Sequence, residues 1–210
     1  MNNQPDSRNH GFTIIELLIV LAITSVALSA IYSTFRVQQR TYIVQRQVAA
    51  MQQNLRAGMH MMVRDIKMAG CDPTDGSSGS SGAGFTTINA SEVHFTRDIN
   101  NNAENWRYDG DVNDCEEDIT YRLYTDADGV QKLGRISPNA CGGVVDNTTQ
   151  PVAEYIESLN FDYLDEDGVV TADADKIRSV RITMRARTSS SKTYQAETLE
   201  AIVNARNQAL

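Results

Sequence analysis

The sequence is short of the side chains that most often hold metals or carry nucleophilic chemistry, with three histidines and three cysteines in 210 residues. His10, His60 and His94 stand far apart, and none falls in a ligand spacing such as HExxH. Cys71, Cys115 and Cys141 form no CxxC pair, which argues against a structural zinc site. There is no GxSxG, no GxGxxG and no Walker sequence, so no catalytic constellation supports an enzyme. Positive charge is also scarce in the region where a soluble domain has to lie. Residues 71–210 carry 24 Asp/Glu against 12 Lys/Arg, and the whole chain has a formal charge of −8. Bulk nucleic-acid binding requires a positive surface that displaces counterions, so no nucleic-acid partner is expected. Residues 32–70 have the opposite bias, with six Lys/Arg and only Asp65 in opposition.

The most informative absence is near the N-terminus. From Phe12 to Phe35 no residue carries a formal charge except Glu16. About 20 apolar residues cross a hydrocarbon core roughly 30 Å thick, so this run has the length of a membrane span. A carboxylate inside such a span is expensive and normally has a partner and a purpose. Residues 1–11 (MNNQPDSRNHG) are short, polar and end in glycine. A secretory signal peptide would show a basic n-region, an apolar stretch and a small-residue cleavage site. Ala27-Leu28-Ser29 weakly imitates such a site, but Arg8 is the only basic side chain of the leader besides His10, and Glu16 would stand inside the apolar region. A plain signal anchor is the other ordinary alternative.

The run Gly11-Phe12-Thr13-Ile14-Ile15-Glu16 resembles the N-terminus of a type IV prepilin. The resemblance implies that a prepilin peptidase cuts between Gly11 and Phe12 and methylates the new Phe12 amine. Gly11 would be needed because a Cβ at the scissile position would clash with the approaching protease. Glu16 would serve assembly, its carboxylate neutralising the N-terminal amine of a neighbouring subunit in an apolar filament core. An unpaired buried charge is costly enough for that pairing to set the register between subunits. Pilin leaders often place Lys or Arg just before the glycine. Here Asn9-His10 stand there, which weakens orientation by the positive-inside rule.

The helical pattern continues past Tyr32. Val37, Val44, Val48, Met51, Leu55, Met59, Val63 and Ile66 recur mostly at three- and four-residue spacing, opposite a face rich in Arg and Gln. Gly70 suits a C′ position and Pro73 prevents continuation. The spacing predicts one helix over about 13–69, roughly 85 Å long at 1.5 Å per residue. Its first half can bury only against lipid or other copies, whereas its second half has a stripe that a domain can cover. Met51, Met59, Met61, Met62 and Met68 read first as core, with an adaptable binding surface as the alternative. Arg36 and Arg40 read as a solvated face, or as partners for lipid headgroups or acidic neighbours.

Residues 72–84 (DPTDGSSGSSGAG) read as a flexible linker, lacking the lysine of a phosphate-binding loop. Beyond it, apolar residues alternate with period two. The alternating sets are Val93/Phe95, Ile119/Tyr121/Leu123, Phe161/Tyr163, Val180/Ile182/Met184/Ala186 and Leu199/Ala201/Val203/Ala205. Asp128-Gly129 marks a hairpin and Asp167-Gly168 a second turn, while residues 151–157 suit a short helix. The result is α+β: an antiparallel sheet laid against the second half of the helix. Arg181, Arg185 and Arg187 share one face of their strand, where the acidic domain favours a protein partner or intramolecular pairing over DNA. Asp109, Asp111, Asn113 and Asp114 cluster in one loop, and Asp165, Asp167, Asp173 and Asp175 in another. Neither has the Gly and Glu of an EF-hand, so solvated turns are the first reading and calcium the minor one; no cofactor is expected.

If Asp128 and Gly129 are the two loop residues, 127 faces 130 and facing residues sum to 257. Cys115 is then level with 142, and a small change in turn type sets it opposite Cys141. Cys115–Cys141 is the preferred disulfide, clamping the open end of the hairpin in an oxidising compartment at about 2–4 kcal/mol. Cys71 is the odd thiol.

The segments MVRDIKMAGCDP, VAEYIESLNFDYLDEDG and LEAIVNARN are similar to the PilW-like minor pilins of type IV pili and to the J-type minor pseudopilins of type II secretion. The resemblance implies a pilin-like fold divided into a leader (1–11), a transmembrane and assembly helix (12–35) and an amphipathic continuation (36–70). A loop (71–84) and a β-rich periplasmic domain (85–210) follow. It implies a low-copy structural subunit that primes pilus assembly or caps the tip. Before assembly it would be held in inner-membrane lipid, and in a pilus it would be displayed at the cell surface. Expected partners are the prepilin peptidase, other major and minor pilins and the inner-membrane assembly platform. The alternatives are a secretion pseudopilin and a membrane-anchored adhesin or DNA-uptake module.

Overall fold

The computed structural model describes residues 11–72, 84–99, 112, 116–138, 148–189, 193–205 and 207. The chain divides into two compact units, Met1–Arg46 and Gln47–Leu210. One helix, α1 (Ile14–Ile66), contributes to both. In the first unit its apolar side chains are exposed, from Phe12 and Ile14 through Leu21 and Leu28 to Phe35. Several of the hydroxyls there bond back to the helix itself. Thr24 Oγ1 donates to the Val20 carbonyl at 2.7 Å, and Ser25 and Ser33 donate to Ala22 and Ala30, each at 2.8 Å. Each such internal bond lowers the cost of placing that hydroxyl in hydrocarbon. α1 is the one helix among the described residues long and apolar enough to cross a membrane.

In the second unit the predicted stripe becomes core. Met51, Leu55, Met59 and Ile66 are buried, and Val48 and Val63 pack partly buried against them. Val37 lies in the first unit and is exposed. Met62 joins the core, while Met61 and Met68 stay exposed, so the core reading holds for Met51, Met59 and Met62. Gly58 marks a close approach: a Cβ there would lie 3.1 Å from Ala153 Cβ and 3.1 Å from Leu133 Cδ2. After Ile66 the bonds tighten to the i→i+3 type, with Met68 N donating to Asp65 O and Ala69 N to Ile66 O. Gly70 takes the left-handed φ of 73° that suits glycine, and its N–H donates to the Thr96 carbonyl at 3.0 Å.

The partners of α1 are two antiparallel sheets. The first has five strands in sequential order: β1 (Gly84–Asn89), β2 (Glu92–Thr96), β3 (Asp118–Thr125), β4 (Gln131–Ile136) and β5 (Gln150–Glu154). The second has β6 (Ile156–Leu164), β7 (Ser179–Arg187) and β8 (Ala196–Asn204), also in order. The expected alternation holds: Val93, Phe95, Ile119, Tyr121, Phe161, Tyr163, Val180, Ile182, Met184, Ala186 and Val203 are buried. The sheets are joined by a Phe161 N–H bond to the Ala90 carbonyl at 2.8 Å and by edge-to-face packing of Phe85 on Phe95 and Tyr163.

Two expectations are corrected. Residues 151–157 are not helical; they form β5 and the start of β6. Pro151 lies on the edge strand of its sheet, where a missing N–H is tolerated, and Tyr155, at φ 58°, separates β5 from β6. The β3–β4 turn is also wider than a two-residue loop. Thr125 faces Gln131 and Thr120 faces Ile136, so facing residues sum to 256 rather than 257. The cause is Asp126, whose Oδ1 accepts from the N–H groups of Asp128 at 3.0 Å and Val130 at 2.9 Å and so draws both into the turn. Asp165 organises residues 165–169 in the same way, accepting from Asp167 and Val169. Gly129 and Gly168 supply the positive φ in each turn.

Candidate functional site: the capped head of the helix and a buried carboxylate

Thr13 is the residue before the first turn of α1, and its carbonyl accepts the first helical bond, from Leu17 N at 3.2 Å. Glu16 stands three residues on. Its Oε2 accepts from Thr13 N at 2.9 Å and from Thr13 Oγ1 at 2.8 Å, while Thr13 Oγ1 lies 3.4 Å from Glu16 N. This is a capping box, in which N-cap hydroxyl and N3 carboxylate satisfy each other's backbone donors. The TxxE signature stands in Thr13-Ile14-Ile15-Glu16, so a capping reading of the sequence would have found this partner. Gly11 is exposed, and a Cβ built there meets nothing within 4 Å. Among the described residues nothing requires glycine at that position, which leaves the prepilin peptidase as the source of any such requirement. Phe12 is 89% exposed beside it.

A second site went unnoticed in the sequence, where Asp65 counted only as a lone acid in a basic segment. In the structure it is buried near the end of α1 and is the centre of a polar cluster. Its Oδ2 accepts from Tyr121 OH at 2.6 Å and from Arg135 Nε at 3.1 Å, and its Oδ1 from Arg97 Nη1 at 3.4 Å. Arg97 also donates to the Glu116 carbonyl at 3.0 Å. Burial, and then the Asp65 charge, push the Tyr121 phenol well above its ordinary range, so Tyr121 stays a donor. Burial works against the charge of Arg135, but the Asp65 carboxylate beside it, through charge and hydrogen bond, helps to hold its pKa up.

The comparisons with known families meet at both regions. Residues 6–32 match the prokaryotic N-terminal methylation motif. Residues 44–204, most of the chain, match the family described as prepilin peptidase-dependent protein B. The chain belongs to the prepilin peptidase-dependent protein B family. No curated protein matches it at a significant level. Membership makes it a prepilin-like protein with a cleavage and methylation motif, processed by prepilin peptidase and structural in kind. With its apolar N-terminal helix, it reads as a membrane-anchored protein carrying a C-terminal domain.

The remaining expected residues of this prepilin-like chain fall into place as follows. Arg181 pairs with Asp162 at 3.6 Å and Glu200 at 3.3 Å, and Arg185 with Glu157 at 2.9 Å. Arg187 stacks over Tyr155 at 5.6 Å, so this arginine face is paired within the domain. His94 Nε2 lies 2.7 Å from Asp118 Oδ1, and His60 is exposed on α1. Asp165 is committed to its turn and Asp173 to Lys176 at 3.1 Å. Among the described residues no group of three His, Cys, Asp or Glu side chains could hold a metal ion. Cys71 is a free thiol, raised by burial first and then by Asp98. Cys115 and Cys141 lie outside the described residues, as do His10, Asp109, Asp111, Asn113 and Asp114.

Proposed function

We propose that this protein is a minor pilin, a low-copy subunit that primes assembly of a type IV pilus or sits at its tip. One observation carries the reading: the first unit presents an uncovered apolar helix whose only charge between Phe12 and Phe35, Glu16, is held by Thr13, the residue just before its first turn. Before assembly such a helix belongs in the inner membrane, with the β-rich domain in the periplasm. During assembly the apolar surfaces of neighbouring subunits replace lipid, and Glu16 exchanges Thr13 for the N-terminal amine of another subunit. That amine is created on Phe12 when the peptidase cuts after Gly11, and it is then methylated. The partners are other pilins and the inner-membrane assembly platform.

The test is processing and incorporation in cells. Gly11→Leu leaves the leader uncut, visible as a higher mass, and Glu16→Ala leaves membrane insertion intact but reduces recovery with other pilins. Normal recovery of Glu16→Ala with pilins would sink the reading. Co-purification with secretion pseudopilins instead would assign the chain to a type II system, and processed protein that never accompanies pilins would mark an anchored binding module.

A Cys115–Cys141 disulfide belongs to the same proposal. The described β3–β4 pairs, from Thr125↔Gln131 to Thr120↔Ile136, have facing residues that sum to 256, as 115 and 141 do, and this numerical match is what supports the pair. Non-reducing peptide mapping tests it, and a crosslink containing Cys71 would overturn the pairing.

A further inference from the structure

Beside Asp65 the second unit has an open cleft of about 910 Å³, walled by the end of α1, the chain after β2, the residue pair before β3, and β4. Its charge is opposite to that of the domain around it. Among the described residues that line it, Arg64, Lys67, Arg97 and Arg135 face Asp65 and Glu116 as the acids. Asp65 is committed to the interior, since three donors already hold its two oxygens. Glu116 is not. Its side chain is 51% exposed, and its Oε2 lies 3.7 Å from Arg135 Nη2 and 4.0 Å from Arg97 Nη2, beyond hydrogen-bond distance from both. Two guanidiniums with side chains only 5% and 8% exposed thus converge on a carboxylate that neither grips. On the outer wall Arg64 and Lys67 are exposed and make no ion pair with a described residue. Met61 and Met68, each more than a third exposed, border the same space.

We propose that this cleft is a docking site for the carboxylate of an acidic peptide segment presented by a partner protein, with an apolar neighbour of that acid packing on Met61 and Met68. A planar carboxylate matches the two converging guanidinium forks, and the exposed cations supply the outer field. Methionine adapts to varied apolar shapes, which favours a peptide over a small anion that would leave it uncovered. In the free protein Glu116 occupies the place of the incoming acid as a loosely held internal competitor. The inference rests on the assembly reading only for the identity of the partner; the preference of the cleft for an acidic peptide stands apart from it.

The experiment uses the full chain in uncharged detergent micelles and a fluorescent, end-capped Leu-Asp-Glu-Leu peptide, followed by anisotropy. The Asn/Gln version of the peptide and inorganic phosphate serve as comparison arms. The acidic peptide binds about tenfold more tightly than the neutral one, and Arg64→Gln with Lys67→Gln removes about that factor without moving the thermal midpoint. Glu116→Gln tightens binding about threefold, because it removes the competitor; a purely structural Glu116 would give no gain. Equal binding of the two peptides, phosphate competing as well as the acidic peptide, or Glu116→Gln binding no better than the parent chain would each overturn the proposal. If Glu116→Gln does not fold, the outer pair decides: unchanged binding in Arg64→Gln/Lys67→Gln overturns it. None of these readouts depends on filament incorporation, so failure here is distinct from failure of the Glu16 test.

Discussion

Asp65 is the residue on which the second unit's polar interior depends. A buried carboxylate holding two buried guanidiniums and a phenol is costly to assemble and more costly to break, because loss of one partner leaves charge uncompensated. Asp65→Ala is expected to destabilise the domain by about 3–5 kcal/mol in chemical denaturation. Tyr121→Phe removes one hydrogen bond to a charged group and costs about 1.5–3 kcal/mol. The Tyr121 phenol also sets a pH limit. Its folded pKa lies above the unfolded value of about 10, so its contribution is fully present below about pH 10 and is lost as pH rises beyond it. Stability of the parent chain should therefore fall on the alkaline side, with a shallower fall in Tyr121→Phe; parallel curves would show that another group sets the limit. Asp126 acts at the other end. Lys132 and the turn N–H of Val130 hold its carboxyl below the ordinary range, so its contribution is present above about pH 4 and disappears as pH drops through the lower folded value. Asp126→Asn should flatten the acid limb of the same curve.

At the scale of elements, periodicity fixes what an element is and close contacts fix where it lies. The stripe from Val48 to Ile66 and the alternation in β2, β3, β6, β7 and β8 were legible because each has one face in a core and one in solvent. The segments misread or missed have local reasons. β1 and β5 are edge strands with little alternation, and β5 carries a proline that removes the usual strand signature. The Asp126 turn was read from its Asp-Gly pair alone, while its width follows from a side chain two residues earlier. Asp65 could not be identified because its donors come from positions 97, 121 and 135, which only the folded topology brings together. The helix–sheet contact was hidden in the same way: Gly58 reads as a weak helix former, yet there α1 closely approaches Leu133 of β4 and Ala153 of β5. Gly58→Val is expected to cost about 1–3 kcal/mol through overpacking against Leu133 and Ala153. Gly58→Ala should fall well short of that, because its gain in helix propensity of about 1 kcal/mol opposes a contact at 3.1 Å. A Gly58→Val chain as stable as the parent would mean that the helix shifts freely on the sheets.

For the molecule as a whole, the question is what Glu16 contributes when its surroundings change from lipid to protein. The carboxylate has two separable properties: it accepts hydrogen bonds that cap α1, and it carries a charge. Glutamine at the N3 position preserves the first and removes the second, since capping boxes accept Gln as well as Glu. Thr13→Val does the reverse, removing the hydroxyl partner while leaving the charge. Loss of such a cap costs about 1 kcal/mol, enough to fray the first turn but small against the burial of a membrane span. If Glu16 acts through pairing with another subunit's amine, Glu16→Gln keeps insertion, processing after Gly11 and amide protection of the first turn, and loses incorporation with other pilins. Thr13→Val should show the converse, with faster hydrogen exchange at Ile14 to Glu16 and incorporation largely retained. Hydrogen exchange in micelles and co-purification from cells measure the two axes independently. Incorporation of Glu16→Gln at the parental level would assign the residue to capping alone, and the charge at the head of this apolar helix would then have no role in assembly.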